Sequence, residues 1–348
     1  MVKPRLKDIA ALAGVSEATA SRVLNGRPGV REAAREAVIA AARELGRDLA
    51  GAPVQREPLV GVVVPDLDNP VFARWVEEIE SLLFERGAGI LVGMRARVLE
   101  REQEVLERLV RAGVSGVIVV SGFHAQRDAS IGHCRALVQA GIPVAFVNGI
   151  RDDLDAVYVQ TDERHTMRAA VAHLHELGHR AIGLAVGDEA TWPVRQKVAA
   201  FEELIDGEGS SARTIAFTDF SHAGGFTAAL ELVAADCTAI VCGSDVMASG
   251  VIDGVRSLGL SVPADVSVVG YDDVPWAPLI SPPLTTMRQA YPELSRAAVD
   301  AVLGRAGDSR RAARSEVTLP SQLIVRGSTA AAPRRRGESE HALDTMAG

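Results

Sequence analysis

From Leu59 onward, short uninterrupted apolar runs rich in Val and Ile recur along the chain, with amphipathic stretches between them. The first series is LVGVVV (59–64), GILVG (89–93), GVIVV (116–120), PVAFV (143–147) and AVYV (156–159). A second follows at AIGLAV (181–186), TIAF (214–217), AIVC (239–242) and VSVVG (266–270). A strand with one wet face alternates polar and apolar residues. Strands that are apolar throughout are covered on both faces, which calls for parallel sheets flanked by helices. FARWVEEIESLLFERG, REQEVLERLVRAG, TMRAAVAHLHELGH and GGFTAALELVAA carry the helical period between them. Because the series runs twice, two doubly wound lobes are expected. GVVVPDLDNPVF and GLAVGDEATWPV hold equivalent strand-to-loop positions in them. LTTMRQ (284–289), the helix YPELSRAAVDAVLG and the strand SQLIVR (321–326) read as returning crossings. One lobe then takes residues 59–159 and 289–318, the other 160–288 and 319–328. The polar tail, 329–348 with Arg334–Arg336, is expected to be disordered.

Ahead of the lobes lies a region of different character. Lys7 to Asn25 reads as two short helices broken at Gly14-Val15, with Ile9 and Ala13 on one apolar side and Ala20, Val23 and Leu24 on the other. Gly14 can adopt the left-handed geometry that ends a helix, and Ser16 is a good N-cap for the next. Val30, Ala34, Val38, Ala41 and Leu45 predict a third helix over 27–45. Two helices joined this tightly form a helix-turn-helix, whose second helix enters the DNA major groove. Its outward face carries Glu17, Ala18, Ser21 and Arg22. Arg22 can donate a bidentate pair to guanine, while Glu17 can accept from cytosine or simply favour the helix N-terminus.

LKDIAALAGVSEATASRVLNG, followed by VREAAREAVIAAARELG, closely resembles the headpiece of the lactose-repressor (LacI/GalR) family of bacterial transcription regulators. The family signature D-[IV]-A-x-x-A-G-V-S-x-x-T-x-S-R-V-L-N is nearly complete, Ala20 standing where Val is usual. The resemblance runs across essentially the whole chain. It implies a DNA-binding domain over residues 1–47, with Ser16, Glu17, Ala18, Thr19, Ser21, Arg22 and Asn25 at the duplex. It also implies an effector-binding and dimerisation domain over 59–328, similar to a type I periplasmic sugar-binding protein. The linker 48–58 departs from the pattern: the family's Tyr-x-Pro-Asn and its Ala-Arg-x-Leu hinge helix are missing. Leu49 is the one candidate for the minor-groove wedge, and Gly51 and Pro53 oppose a helix around it.

In open α/β sheets, ligands sit beyond the carboxyl ends of the strands, and two facing lobes make a cleft there. Residues just after strands include Asp66, Asp68, Asn69, Val71, Phe72 and Asn148 in the first lobe. The second offers Asp188, Trp192, Arg195, Asp219, Phe220, Ser244, Asp245, Tyr271 and Asp272, with Gln289 at a crossing. Carboxylates, amides and Arg among aromatics suit a polyhydroxylated ligand. The resemblance implies effector contacts at Phe72, Asn148, Phe220, Ser244 and Asp272. It places Lys197 on an Arg that grips ligand in the family, with Ala200 for Gly; Arg195 is the alternative. Asp245 and Asp162 equally suit helix N-caps, and Trp75 and Trp276 suit packing. His173, His175 and His179 do not share one metal-binding face, and His179 is expected to be structural.

The net charge of −8 divides unevenly. Residues 1–58 hold ten Lys/Arg against seven Asp/Glu, and the rest hold 27 against 38, so a mildly basic head sits on an acidic body. Cys134, Cys237 and Cys242 show no C-x-x-C spacing and are expected as buried free thiols, without metal or cofactor. No apolar run is long enough for a membrane span and no secretory h-region opens the chain, so a cytoplasmic protein is expected. G-x-G-x-x-G, G-K-[ST], G-x-S-x-G and H-E-x-x-H are absent, so no enzyme is expected. The reading is a homodimeric repressor on a palindromic operator, released or recruited by a small sugar-like effector. The alternatives are a transport-type solute-binding protein and a non-catalytic sensor of a nucleoside- or purine-like metabolite.

Overall fold

The computed structural model describes residues 5–25, 27, 29–45, 57–207, 214–304 and 314–333. The chain divides into two units at Pro58/Leu59. The first holds three helices, α1 (Leu6–Leu12), α2 (Glu17–Leu24) and α3 (Glu32–Glu44). Gly14, just past the end of α1, has φ +66°, which a side chain would strain. The Ser16 hydroxyl accepts the Thr19 N–H at 3.1 Å and caps α2. Ile9, Ala10, Ala20, Val23, Leu24, Val38, Ala41 and Ala42 close a small core. The third helix is shorter than the expected 27–45. Gly29 at φ +90° is not helical, the helix begins at Glu32, and Leu45 is left exposed at its end.

The second unit contains two six-stranded sheets. Sheet 1 is built from β1 (Leu59–Val64), β2 (Gly89–Met94), β3 (Gly116–Val120), β4 (Val144–Val147), β5 (Val157–Thr161) and β11 (Ser315–Leu319). Its order is β11-β5-β4-β3-β1-β2, parallel throughout. Sheet 2 comprises β6 (Ile182–Val186), β7 (Thr214–Phe217), β8 (Ala239–Cys242), β9 (Ser267–Asp272), β10 (Thr285–Arg288) and β12 (Gln322–Ile324), in the order β12-β10-β9-β8-β6-β7. Here β12 runs antiparallel to β10, an exception to the expected parallel pairing that follows from its being the last return of the chain. In each sheet the first strand, β1 or β6, lies between the next two, so the strand order reverses beside it and opens a crevice at its carboxyl end.

Helices cover both faces. Sheet 1 packs α4 (Pro70–Glu85) and α11 (Tyr291–Leu303) on one side, with Trp75 edge-on to Tyr291 at 5.5 Å; α5 (Leu99–Ala112) and α6 (Gly132–Gln139) cover the other. Sheet 2 packs α7 (Glu163–Glu176) and α8 (Trp192–Gly207) against α9 (His222–Ala234) and α10 (Asp245–Ser257) across it. α9 and α10 meet backbone to backbone: a Cβ on Gly250 would lie 1.9 Å from the His222 carbonyl oxygen. The chain passes between lobes three times, after β5, after β10 and after β11. Trp276 packs against the α9–α10 core, and the three cysteines are buried.

The tail expectation needs correcting at its start, because residues 329–333 are tied to lobe 2. The Ala330 N–H donates to Ser267 Oγ at 3.0 Å, and the Ala332 N–H to the Leu177 carbonyl at 2.8 Å. The His179 ring bridges Thr238 Oγ1, Ser267 Oγ and the Ala330 carbonyl, which is a structural role. Arg334–Arg336 and the rest of the tail lie outside the described residues. Among the described residues no helix is long and apolar enough to cross a membrane.

Candidate functional site

On α2, Glu17, Ala18 and Arg22 are exposed, and Thr19 and Ser21 are half-buried beside them. The Ser16 and Thr19 hydroxyls lie 2.9 Å apart and complete the cap. The Asn25 amide donates to the Ser21 carbonyl at 2.8 Å, so it finishes the helix instead of projecting from it. Arg22 has no side-chain partner among the described residues, which leaves a free guanidinium on the outward face. Leu49 and the linker around it fall outside the described residues.

In the second unit, a cavity of about 340 Å³ opens between the carboxyl ends of the two sets of strands. Asn69, Val71, Phe72, Asn148, Lys197, Phe220, Ser244, Asp272 and Gln289 all line it. Trp192 and Arg195 do not. Helical spacing turns Pro193 and Lys197, four residues apart, to the cavity and Val194 and Phe201 to the core. The Arg195 guanidinium instead bonds the Ala190 carbonyl. Two of the polar lining residues also hold helix ends: Asn69 caps α4 by accepting the Val71 N–H at 3.2 Å, and Ser244 caps α10 by accepting the Met247 N–H at 3.2 Å. Asp245 is therefore not the cap it was expected to be. It lies fully buried, accepting the Val274 N–H at 2.8 Å and the Thr286 hydroxyl at 2.5 Å. Asp162 does cap α7.

The lobe 2 wall centres on a buried trio. Lys197 Nζ donates to Glu163 Oε1 at 2.7 Å, the Tyr271 hydroxyl donates to the same oxygen at 3.0 Å, and Lys197 Nζ lies 3.9 Å from the Tyr271 ring centroid. Glu163 Oε2 has no partner among the described residues. Burial raises the Glu163 carboxyl above the usual range even though Lys197 and Tyr271 pull it down. Asp272, at φ +113°, accepts Gln289 Nε2 at 2.6 Å, and Gln289 Oε1 in turn accepts the Thr161 hydroxyl at 3.0 Å. Burial and the neighbouring Asp245 push Asp272 well above its ordinary value, and burial lifts Asp245 to about 7. Adjacent Asp273 turns away to Arg288 and Arg326, so the two carboxylates do not work as a pair.

Lobe 1 contributes Arg95 and Ser121, which the sequence reading missed. Arg95 follows β2 directly, so the rule that found Asn69 and Asn148 would have found it had it been applied to that strand. Glu163 was hidden beside the Asp162 cap. Arg95 Nη2 donates to the Ser121 carbonyl at 2.7 Å, and Asn148, at φ +62°, donates to Ser121 Oγ at 3.1 Å. Behind Arg95 lies Glu102, fully buried, accepting the Phe123 N–H at 3.0 Å and His133 Nε2 at 2.8 Å. Burial raises Glu102, but His133, His124, the Phe123 N–H and Arg95 together hold it below its ordinary value. Across the mouth the lobes touch: the Arg127 N–H donates to the Ala190 carbonyl at 3.0 Å, and Gln126 and Thr191 form a single antiparallel bridge.

Among the described residues, Glu102, His133 and Cys134 bring metal-type donors within 4.8 Å of one another. Glu102 already has its donors, and burial holds the Cys134 thiol protonated, so the group is a hydrogen-bonded core. The cavity itself combines acceptors, donors and the rings of Phe72 and Phe220, an arrangement suited to hydroxyl-bearing ligands.

Residues 5–46 match the family described as bacterial regulatory proteins, lacI family, and residues 171–329 match a periplasmic binding protein-like domain. The transcriptional regulator MalR of Streptomyces coelicolor is 43% identical over 96% of this chain and 98% of its own length. The transcriptional repressor CytR of Escherichia coli is 31% identical over 94% and 97%. Among solved structures, the lac repressor dimer bound to operator and the anti-inducer ONPF superposes with a TM-score of 0.75 at 28% identity, covering 95% of this chain and all of that one. The complex of the regulator CelR with cellobiose gives 0.67 at 29% identity, over 93% and 99%.

Proposed function

The chain belongs to the LacI family of bacterial regulatory proteins, and from that premise we propose that it is a sequence-specific DNA-binding repressor whose operator affinity is set by a sugar or sugar derivative held between its two lobes. The observation that carries the reading is the cavity, where nine residues chosen from sequence for effector contact converge on one space. Two copies pair, and the two heads meet a palindromic site, because a two-fold protein matches a two-fold duplex. Its place of action is the cytoplasm, with the DNA. Ligand entry changes the relation of the lobes, and the coupling to DNA affinity is about 1–3 kcal/mol.

The head is tested by selecting binding sites from random duplexes and measuring Arg22→Ala on the selected site and its single-base variants. Loss of about 1–3 kcal/mol of discrimination at one half-site position is expected. Uniform weakening on every sequence would show that Arg22 meets phosphate instead.

A further inference from the structure

Every cation lining the cavity is already matched by a carboxylate. Arg95 Nε lies 3.4 Å from Glu102 Oε2, Arg97 Nε lies 3.2 Å from Asp66 Oδ2, and Lys197 Nζ lies 2.7 Å from Glu163 Oε1. Asp188 and Asp219, also on the lining, have no ion pair among the described residues. Among the described residues that line the cavity no cation is left without a carboxylate, so an anionic ligand would meet Asp188 and Asp219 with no unmatched cation on the lining to offset them.

Its hydrogen-bonding capacity is nevertheless incomplete at two buried points. Arg95 is only 6% exposed and is fixed by the Ser121 carbonyl and by the Phe123 ring, 4.7 Å from its guanidinium; its Nε has only the 3.4 Å ion-pair contact with Glu102, and its Nη1 has no hydrogen-bond partner among the described residues. On the facing lobe, the buried Glu163 Oε2 is also unpartnered. Buried polar groups find partners in nearly all native structures, and a ligand is the partner still to come at a preformed cavity. Arg95 asks for an oxygen acceptor and Glu163 for a donor. A hydroxyl supplies either.

We propose that Arg95 is a specificity-determining effector contact that takes an uncharged oxygen of the ligand, so that the cavity accepts neutral sugars and rejects their acidic or phosphorylated forms. This rests on the reading of the cavity as the effector site and narrows its ligand class. Glu102 is the positioning residue: it lies beside Arg95 Nε, matches the Arg95 charge and leaves Nη1 as the donor without a partner.

The test uses the full chain and matched saccharide pairs by calorimetry: ribose and ribose 5-phosphate, glucose and glucuronate, cellobiose and its aldonic acid. The neutral member of at least one pair is expected to bind about tenfold or more tighter than its charged partner. Glu102→Gln keeps the side-chain shape but releases the Arg95 charge, and should narrow that gap by about tenfold. The double variant Arg95→Met with Glu102→Gln leaves no unmatched buried charge and should lose about tenfold or more for the neutral sugar, the loss expected of a charge-assisted hydrogen bond. Equal binding of neutral and charged partners, or a double variant that binds like wild type, overturns the proposal while leaving the sugar-sensor reading intact. If no saccharide binds wild type or Glu102→Gln, that reading falls and takes this proposal with it.

Discussion

In lobe 1 the buried Glu102 is met by the Phe123 N–H, His133 and Arg95, whereas in lobe 2 three buried carboxyls, Glu163, Asp245 and Asp272, have fewer donors each, and Asp245 and Glu163 both raise Asp272. The two lobes have the same doubly wound plan, so the difference arises from the side-chain and backbone donors set around each carboxyl. Enough donors hold a buried carboxylate ionised; too few let desolvation win. Lobe 1 thus presents a fixed, charge-matched wall, and lobe 2 a wall whose protonation can respond to what enters.

The largest expected effect comes from Lys197→Met. Glu163 would keep only the Tyr271 hydroxyl, and a loss of about 3–5 kcal/mol is expected in chemical denaturation at pH 7.5. At pH 5 the loss should shrink, because Glu163 takes a proton easily. Arg95→Met should cost less, since Glu102 keeps His133 and the Phe123 N–H. A lobe 1 variant costing as much as its lobe 2 counterpart would break the comparison.

Next comes pH. Asp245 stands at about 7 in the fold against 3.8 ordinarily. The unfolded chain therefore loses that proton first, and the stability is fully present below pH 3.8 and declines as pH rises to about 7. His124 has the opposite sign. Burial depresses it to about 4 against an ordinary 6.5, despite Glu102 beside it, so its contribution is present above 6.5 and lost as pH falls towards 4. Each is expected to be on the order of a few kcal/mol at most. Both slopes fall in the same window, about pH 4–7, with opposite sign, so Asp245→Asn should tilt the denaturation midpoint upward with rising pH and His124→Gln should tilt it downward. A tilt of the same sign from both variants would contradict the assignment.

The smallest effect concerns backbone geometry at the strand ends. Asn148→Gly relieves a left-handed residue while removing the bond to Ser121, and should change stability by less than about 1 kcal/mol. Asp273→Gly relieves similar geometry but abandons Arg288 and Arg326, and should cost more.

The apolar runs from Leu59 onward were enough to place nearly every strand, because a strand buried on both faces cannot be anything but apolar. Ser315–Leu319 escaped notice for the converse reason: β11 is an edge strand with exposed Ser and Glu, and pairs only with β5. In the cavity, most residues chosen for following a strand were legible, but Asp66, Asp68 and Asp245 do not line it. Trp192 and Arg195 failed because helical phase, not nearness in sequence, decides which side of α8 faces inward. The Asp245 reading failed because Ser244, one residue earlier, takes the cap, and a carboxyl at the next position is then free to be buried under β9 and β10. Charge matching behind the wall, such as Glu102 against Arg95, has no local pattern and needs the fold.

The central claim is that the cavity governs the grip of the head on DNA. It is tested most directly by fluorescence anisotropy on the self-selected duplex, with and without a saccharide that binds, in wild type and Asp272→Ala. Wild type should change its DNA affinity by about 5–150-fold on adding the sugar, and Asp272→Ala should keep its sugar-free affinity and show no change. An unaltered wild-type affinity at saturating sugar, or the same shift in both proteins, would contradict it.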